Sequence, residues 1–156
     1  MADSSWKLPC SILFGALLAC GMPTPERLLD EACRDQQCAT SGSARQTTGA
    51  TSDSIGFEIG PGPGSVNVMV PRLPSNVGSG VELLARGGGT IAVTIEGPDC
   101  APNCTSSSFE LLEGWSWIPV GRAPTTPFNT TPDGFTLVVE TRDETSTAAL
   151  LDVRLR

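Results

Sequence analysis

The sequence predicts an all-β fold: a two-sheet β-sandwich preceded by a short helix and a flexible tether. Three observations carry this reading. Several runs alternate apolar and polar residues with a period of two, the mark of a strand with one buried face. Glycine, proline and aspartate cluster between those runs, where turns need them. The 156 residues hold 17 Gly, 13 Pro and 6 Cys, which favours short strands, tight turns and covalent staples over long helices. Strands with one apolar face each can hide those faces by pairing two sheets, and about 100 residues from Ile55 to the C-terminus suffice for one such sandwich.

Taken in order, the first element is a helix over residues 25–35. Thr24 suits the N-cap, Pro25 the first helical position, and Glu26 the positive end of the helix dipole. Leu28, Leu29, Ala32 and Cys33 then share one face. Residues 40–54 read as a tether or a plain polar loop: ten of the fifteen are Ser, Thr or Gly, with no large hydrophobe. As a coil this stretch would reach about 20 Å. The sandwich itself is expected over 55–156.

Its strands follow from the alternation. Val66, Val68 and Val70 form one set, Ile91, Val93 and Ile95 a second, and Phe135, Leu137 and Val139 a third. In the last strand Ala149, Leu151, Val153 and Leu155 are read as facing inward, with Asp152, Arg154 and Arg156 toward solvent. Less regular strands are expected near 55–59, 81–86, 108–112 and 115–120. Gly87-Gly88-Gly89 is read as a hairpin turn joining 81–86 to 90–96, and Pro132-Asp133-Gly134 as a turn before Phe135. Pro61-Gly62-Pro63-Gly64 breaks the chain between the first two strands.

The N-terminus has a different character. Lys7 and the α-amino group outweigh Asp3, and Leu8 to Ala19 is an uncharged apolar stretch of twelve residues. That is short of the roughly 20 residues a transmembrane helix needs, but suits a secretory signal. The stretch ends in Leu17-Leu18-Ala19-Cys20, which resembles the lipobox of bacterial lipoproteins. The resemblance implies a signal peptide over 1–19, cleavage before Cys20, and acyl chains on Cys20 that anchor the protein to a bacterial cell membrane or outer membrane. Several chains matter physically, because one alone holds a protein only marginally. Processing would also discard Cys10.

Beyond Cys20, four cysteines remain: Cys33, Cys38, Cys100 and Cys104. In an exported chain they are expected as disulfides. The local pairs Cys33–Cys38 and Cys100–Cys104 are favoured, since neighbours most readily meet the Cα spacing of under about 7 Å. Crossed pairs would instead clamp the helix to the sandwich. A four-cysteine zinc site fits poorly, because neither spacing is the C-x2-C knuckle.

Composition excludes several functions. The net charge of −7 would repel nucleic acid, so no nucleic-acid partner is expected. There is no His, and the only Lys is Lys7, within the signal segment. The processed chain therefore cannot build a Ser-His-Asp triad, a Cys-His pair, a Ser-Lys dyad or a Schiff base. Paired carboxylates remain as a route to glycoside hydrolysis, but no spacing picks out two of them. No enzyme activity, cofactor or metal is expected. Asp99, Asp133, Asp143 and Glu144 are loop acids without the spacing of a calcium loop, and solvated loop charges account for them. The sequons at Asn103 and Asn129 matter only on a glycosylating eukaryotic route.

A second resemblance covers the closing part of the chain. It runs from Trp115-Ser116-Trp117-Ile118 through Pro132-Asp133-Gly134 and Phe135–Glu140 to Ala149-Leu150-Leu151-Asp152-Val153-Arg154-Leu155. This stretch is similar to the end of jelly-roll domains of the galactose-binding-like and carbohydrate-binding-module group. It implies a jelly roll acting as a binding module, with glycan or cell-wall polymer as partner. The alternative is a structural or protein-binding envelope lipoprotein without a small ligand. Trp115 and Trp117 are two apart and share a strand face. Aromatics usually fill interiors, so core is their default role; on an outer face they would form a sugar-stacking platform. Phe128 is a weaker candidate for the same platform.

Overall fold

The structure, a computed structural model, describes residues 28–34, 37–49, 51, 53–71, 79–97, 104–124 and 134–156. Among the described residues one helix, α1 (Leu28–Arg34), precedes ten strands: β1 (Cys38–Gly42), β2 (Arg45–Thr48), β3 (Ile55–Ile59), β4 (Gly64–Val70), β5 (Gly80–Gly88), β6 (Thr90–Glu96), β7 (Ser106–Glu110), β8 (Ser116–Arg122), β9 (Phe135–Thr141) and β10 (Thr147–Leu155). They form two antiparallel five-stranded sheets, β1-β4-β9-β6-β7 and β2-β3-β10-β5-β8. The expected two-sheet sandwich with one short helix is what the chain adopts.

Alternation builds the core as anticipated. In the first sheet, register aligns Val66 with Val139 and Val139 with Val93, and all three are buried. In the second, Leu150 lies between Phe57 and Ala85, again all buried. The inner faces interlock into one continuous cluster, which also takes in Leu28, Leu29 and Ala32 of α1. The helix packs against β3, β4 and β10 at one end of the sandwich. There Asp30 Oδ1 accepts a 2.6 Å hydrogen bond from the Ile55 amide, which begins β3. A buried carboxylate thus receives the first amide of β3. The proposed cap residues Thr24, Pro25 and Glu26 lie outside the described residues, as does Cys20.

Three expectations are corrected. The stretch read as a tether supplies β1 and β2, which pair with β4 and β3 respectively. The folded body therefore begins well before residue 55. Backbone pairing holds these residues: β1 is exposed along four of its five positions, so no apolar pattern marks it. Second, Gly87-Gly88-Gly89 does not close a hairpin, because β5 and β6 belong to different sheets. It arches between the sheets, where Gly87 N donates to Leu112 O at 2.9 Å and Gly89 O accepts from Leu111 N at 2.9 Å. At Gly89, with φ +87°, any Cβ would collide with Ser146 Oγ.

Third, β10 changes face within its length. Its register against β5 shifts between Leu150 and Asp152, leaving Leu151 as an inserted residue. Ala148 and Leu150 are therefore buried inward along with Val153 and Leu155, while Ala149 and Leu151 turn outward and are half-buried. Regular alternation from Ala149 to Leu155 was the wrong parity for the first half of the strand. The turn Pro132-Asp133 lies outside the described residues.

Candidate functional site: a trough on the outer face of the second sheet

The outward residues of β2, β3, β10 and β5 form one row. Register places Arg45 beside Glu58, Glu58 beside Ala149, and Ala149 beside Arg86. Trp115, just ahead of β8, continues the row past Arg86, whose guanidinium carbon lies 4.7 Å from the indole centroid. At the other end Arg45 grips Glu58 Oε2 through Nη2 at 2.6 Å and Nε at 3.0 Å. Between these tall pairs stands Ala149, a single methyl group. Gly87 and Gly88 extend the low ground on one side.

The result is a trough of two adjoining depressions that share Glu58, Arg86 and Ala149. The larger, about 460 Å³, runs toward Gly60, Gly88, Glu113 and Thr147. The smaller, about 280 Å³, is bordered by Trp115, Thr47, Thr48 and Leu151. The inserted Leu151 is what brings Ala149 and Leu151 to this face. Without that shift the parity of β10 would not match both halves of the strand.

The two tryptophans share the outer face and differ in availability. Trp115 is 40% exposed and borders the smaller depression. Trp117 is half-buried beneath Arg154, whose guanidinium carbon lies 3.9 Å from its ring centroid. Arg154 is itself pinned by Glu82, with Nε–Oε2 at 2.6 Å, and Arg156 Nε lies 3.5 Å from the same oxygen. The default core role is therefore corrected for both residues: neither belongs to the buried cluster. Strand parity decides this, because Trp117 pairs with outward Leu84 while Ile118 pairs with buried Leu83. Trp115 is the accessible half of the anticipated platform. Phe128 lies outside the described residues.

Chemically the trough offers a flat aromatic surface, hydroxyls from Thr47, Thr48 and Thr147, carboxylate acceptors and one guanidinium fork. Glu58 and Glu113 both border the larger depression. Glu58 is committed to Arg45, which leaves one carboxylate uncommitted where glycoside hydrolysis uses two. The arrangement suits binding. Sequence reasoning did not single out Arg86, Glu58 or Glu113, and the only local signal was their position on the polar side of alternating strands.

The floor is braced from the neighbouring turn. Asp143 accepts hydrogen bonds from the Thr145 and Ser146 amides at 3.0 and 2.5 Å, and from Ser146 Oγ at 2.6 Å. Ser146 Oγ in turn accepts from the Thr90 amide at 3.0 Å. These bonds, led by the Ser146 hydroxyl and then its amide, lower the Asp143 pKa from 3.8 to about 2. Asp143 thus serves its own turn, next to Thr147 of the trough, and among the described residues no group of three or more metal-ligating side chains occurs. Asp99 and Asp133, proposed with it, lie outside the described residues, as do Asn103 and Asn129. Glu144 is exposed in the same turn.

Of the cysteines, Cys33 and Cys38 form the expected local disulfide, with Cα atoms 5.0 Å apart. It ties the end of α1 to the start of β1. Cys104 is also disulfide-bonded. Cys100 lies outside the described residues.

No family model matches this sequence, and no curated protein matches it. Solved structures do. The chain is similar to the family 11 carbohydrate-binding module of a cellulosomal cellulase of Clostridium thermocellum, with a TM-score of 0.54 and 12% identity over 83% of this chain and 93% of that one. It is also similar to TmCBM61, solved in complex with beta-1,4-galactotriose, with a TM-score of 0.49 and 16% identity over 83% and 97% of the two chains. These two neighbours are carbohydrate-binding modules with a jelly-roll-like fold. At these identities what the chain shares with the family 11 module is that fold.

Proposed function

We propose that this chain is an exported lipoprotein, anchored through Cys20, whose sandwich binds glycan in the trough beside Trp115. One observation carries the binding half: an exposed indole stands at the edge of a shallow, hydroxyl-lined depression instead of in the core. A flat aromatic ring stacks on the apolar face of a sugar, while threonine hydroxyls, Arg86 and the carboxylates satisfy its hydroxyl groups. The jelly-roll-like fold shared with a carbohydrate-binding module supports the same reading. The anchor rests on the apolar stretch ending at Ala19-Cys20, and the Cys33–Cys38 disulfide fits an oxidising compartment outside the cytoplasm.

The test is retardation of the protein in native gels containing a panel of plant and cell-wall polysaccharides. Trp115→Ala should weaken retention on the best polymer at least tenfold, about 1.4 kcal/mol, while the melting temperature holds. Unchanged retention in that variant, or no retention of the native chain by any polymer, would overturn the reading. Intact mass of the membrane-extracted protein checks the anchor: the expected value is Cys20–Arg156 plus acyl chains.

A further inference from the structure

We propose that the glycan bound in the trough is acidic, with a uronate carboxylate received by Arg86 at the Trp115 end. This rests on the glycan reading above and narrows it. The five arginines on this sheet or at its terminus are not equivalent, and Arg122 of β8 lines neither depression. Arg45 is paired with Glu58, and Arg154 and Arg156 converge on Glu82. Arg86 has no carboxylate partner among the described residues; its one contact there is the face of Trp115, 4.7 Å away. It is also the arginine that lines both depressions.

In a protein of net charge −7, a solvent-facing arginine bordering both depressions has carboxylates to choose from, and this one is left open. Stacking on the indole occupies the flat face of the guanidinium and leaves its N–H edge free. That edge is a planar fork matched to a carboxylate. The smaller depression holds one other charged side chain, Glu58, whose charge Arg45 offsets at 2.6 Å. Glu113 borders the larger depression instead. Glu113, two positions before Trp115 in the chain, supplies an uncommitted carboxylate to accept sugar hydroxyls in that larger depression. Acidic groups elsewhere on the surface act weakly on a bound uronate, because charges beyond a Debye length of about 8 Å are screened at physiological ionic strength.

Calorimetric titration of the detergent-solubilised full chain with polygalacturonate and with its carboxyl-reduced counterpart tests this, since the two polymers differ only in the carboxylate. Polygalacturonate should bind at least tenfold more tightly, and added salt should erode that advantage. Arg86→Gln should abolish the difference, and Arg86→Lys, which keeps the charge without the fork, should retain part of it. A preference for the neutral polymer, or a preference for the acidic one that survives in Arg86→Gln, would overturn the uronate assignment while the glycan reading stands. If no neutral or acidic polysaccharide binds, both fall together.

Discussion

Two tryptophans at i and i+2 illustrate how much a single neighbour decides. Both face outward from β8, yet Glu82 fixes Arg154 over Trp117, whereas Trp115 keeps an exposed edge beside the trough. Trp117 and Arg154 thus brace each other on the outer face, and Trp115 is left as the surface available to the proposed ligand. Asp143 shows a different single-residue effect, this time on acid stability. Its pKa, lowered from 3.8 to about 2 by the Ser146 and Thr145 hydrogen bonds, lies below that of the unfolded chain. Its stabilisation is therefore fully present above about pH 4 and is lost as the pH falls through about 2. Melting temperatures measured between pH 5 and pH 2 should fall more steeply in the native protein than in Asp143→Asn. Parallel curves would show that the carboxylate contributes nothing to the turn. Because the group is exposed, the difference should also shrink in high salt.

The elements carry the features that alternation alone does not encode. β10 needs an inserted residue because its apolar run, Ala148-Ala149-Leu150-Leu151, precedes a segment of opposite parity, and both Leu150 and Val153 must reach the core. The insertion resolves that conflict and turns Ala149 and Leu151 into the trough. The glycine run arches between sheets because Gly87 and Gly89 bond the backbone at Leu112 and Leu111, contacts that an isolated hairpin would not make. α1 is seven residues long, too short to persist alone, and depends on burial of its apolar face and on the Cys33–Cys38 link. Replacing both cysteines by serine should cost about 2 kcal/mol, the loop-entropy value for so small a ring. Denaturant unfolding would read this as a lower midpoint with the slope unchanged. A loss near zero would mean that packing alone holds the helix.

At the scale of the molecule, α1 and the larger depression lie toward opposite ends of β3. α1 meets the start of β3 at Ile55, while the larger depression opens at the end of that strand, beside Gly60. Because β1 and β2 take up the stretch read as a tether, the proposed lipid on Cys20 would be separated from Leu28, the first described residue, by eight positions. Eight residues span at most about 29 Å. With the proposed lipid on Cys20, the sandwich would therefore stand close to the bilayer. Cys20→Ser should move the protein from the membrane fraction to the soluble fraction with its cooperative melt unchanged. Retention on the membrane in that variant would exclude lipid on Cys20 as the anchor.

The two-sheet architecture and most of its strands were legible in the sequence, because a strand with one buried face must write a period-two pattern into its side chains. The Cys33–Cys38 bond was legible for a similar reason, since five positions of separation already bring two cysteines within bridging range. β1 and β2 left no such trace: they are held by backbone hydrogen bonds to β4 and β3, and backbone bonding does not depend on which side chains stand there. The trough was equally invisible. Arg45, Glu58, Arg86 and Ala149 come from separate strands and Trp115 from the lead into β8, and only the order of those strands within the sheet makes them neighbours. Strand order depends on which apolar faces fit together in space, and that is settled by the whole core rather than by any one segment.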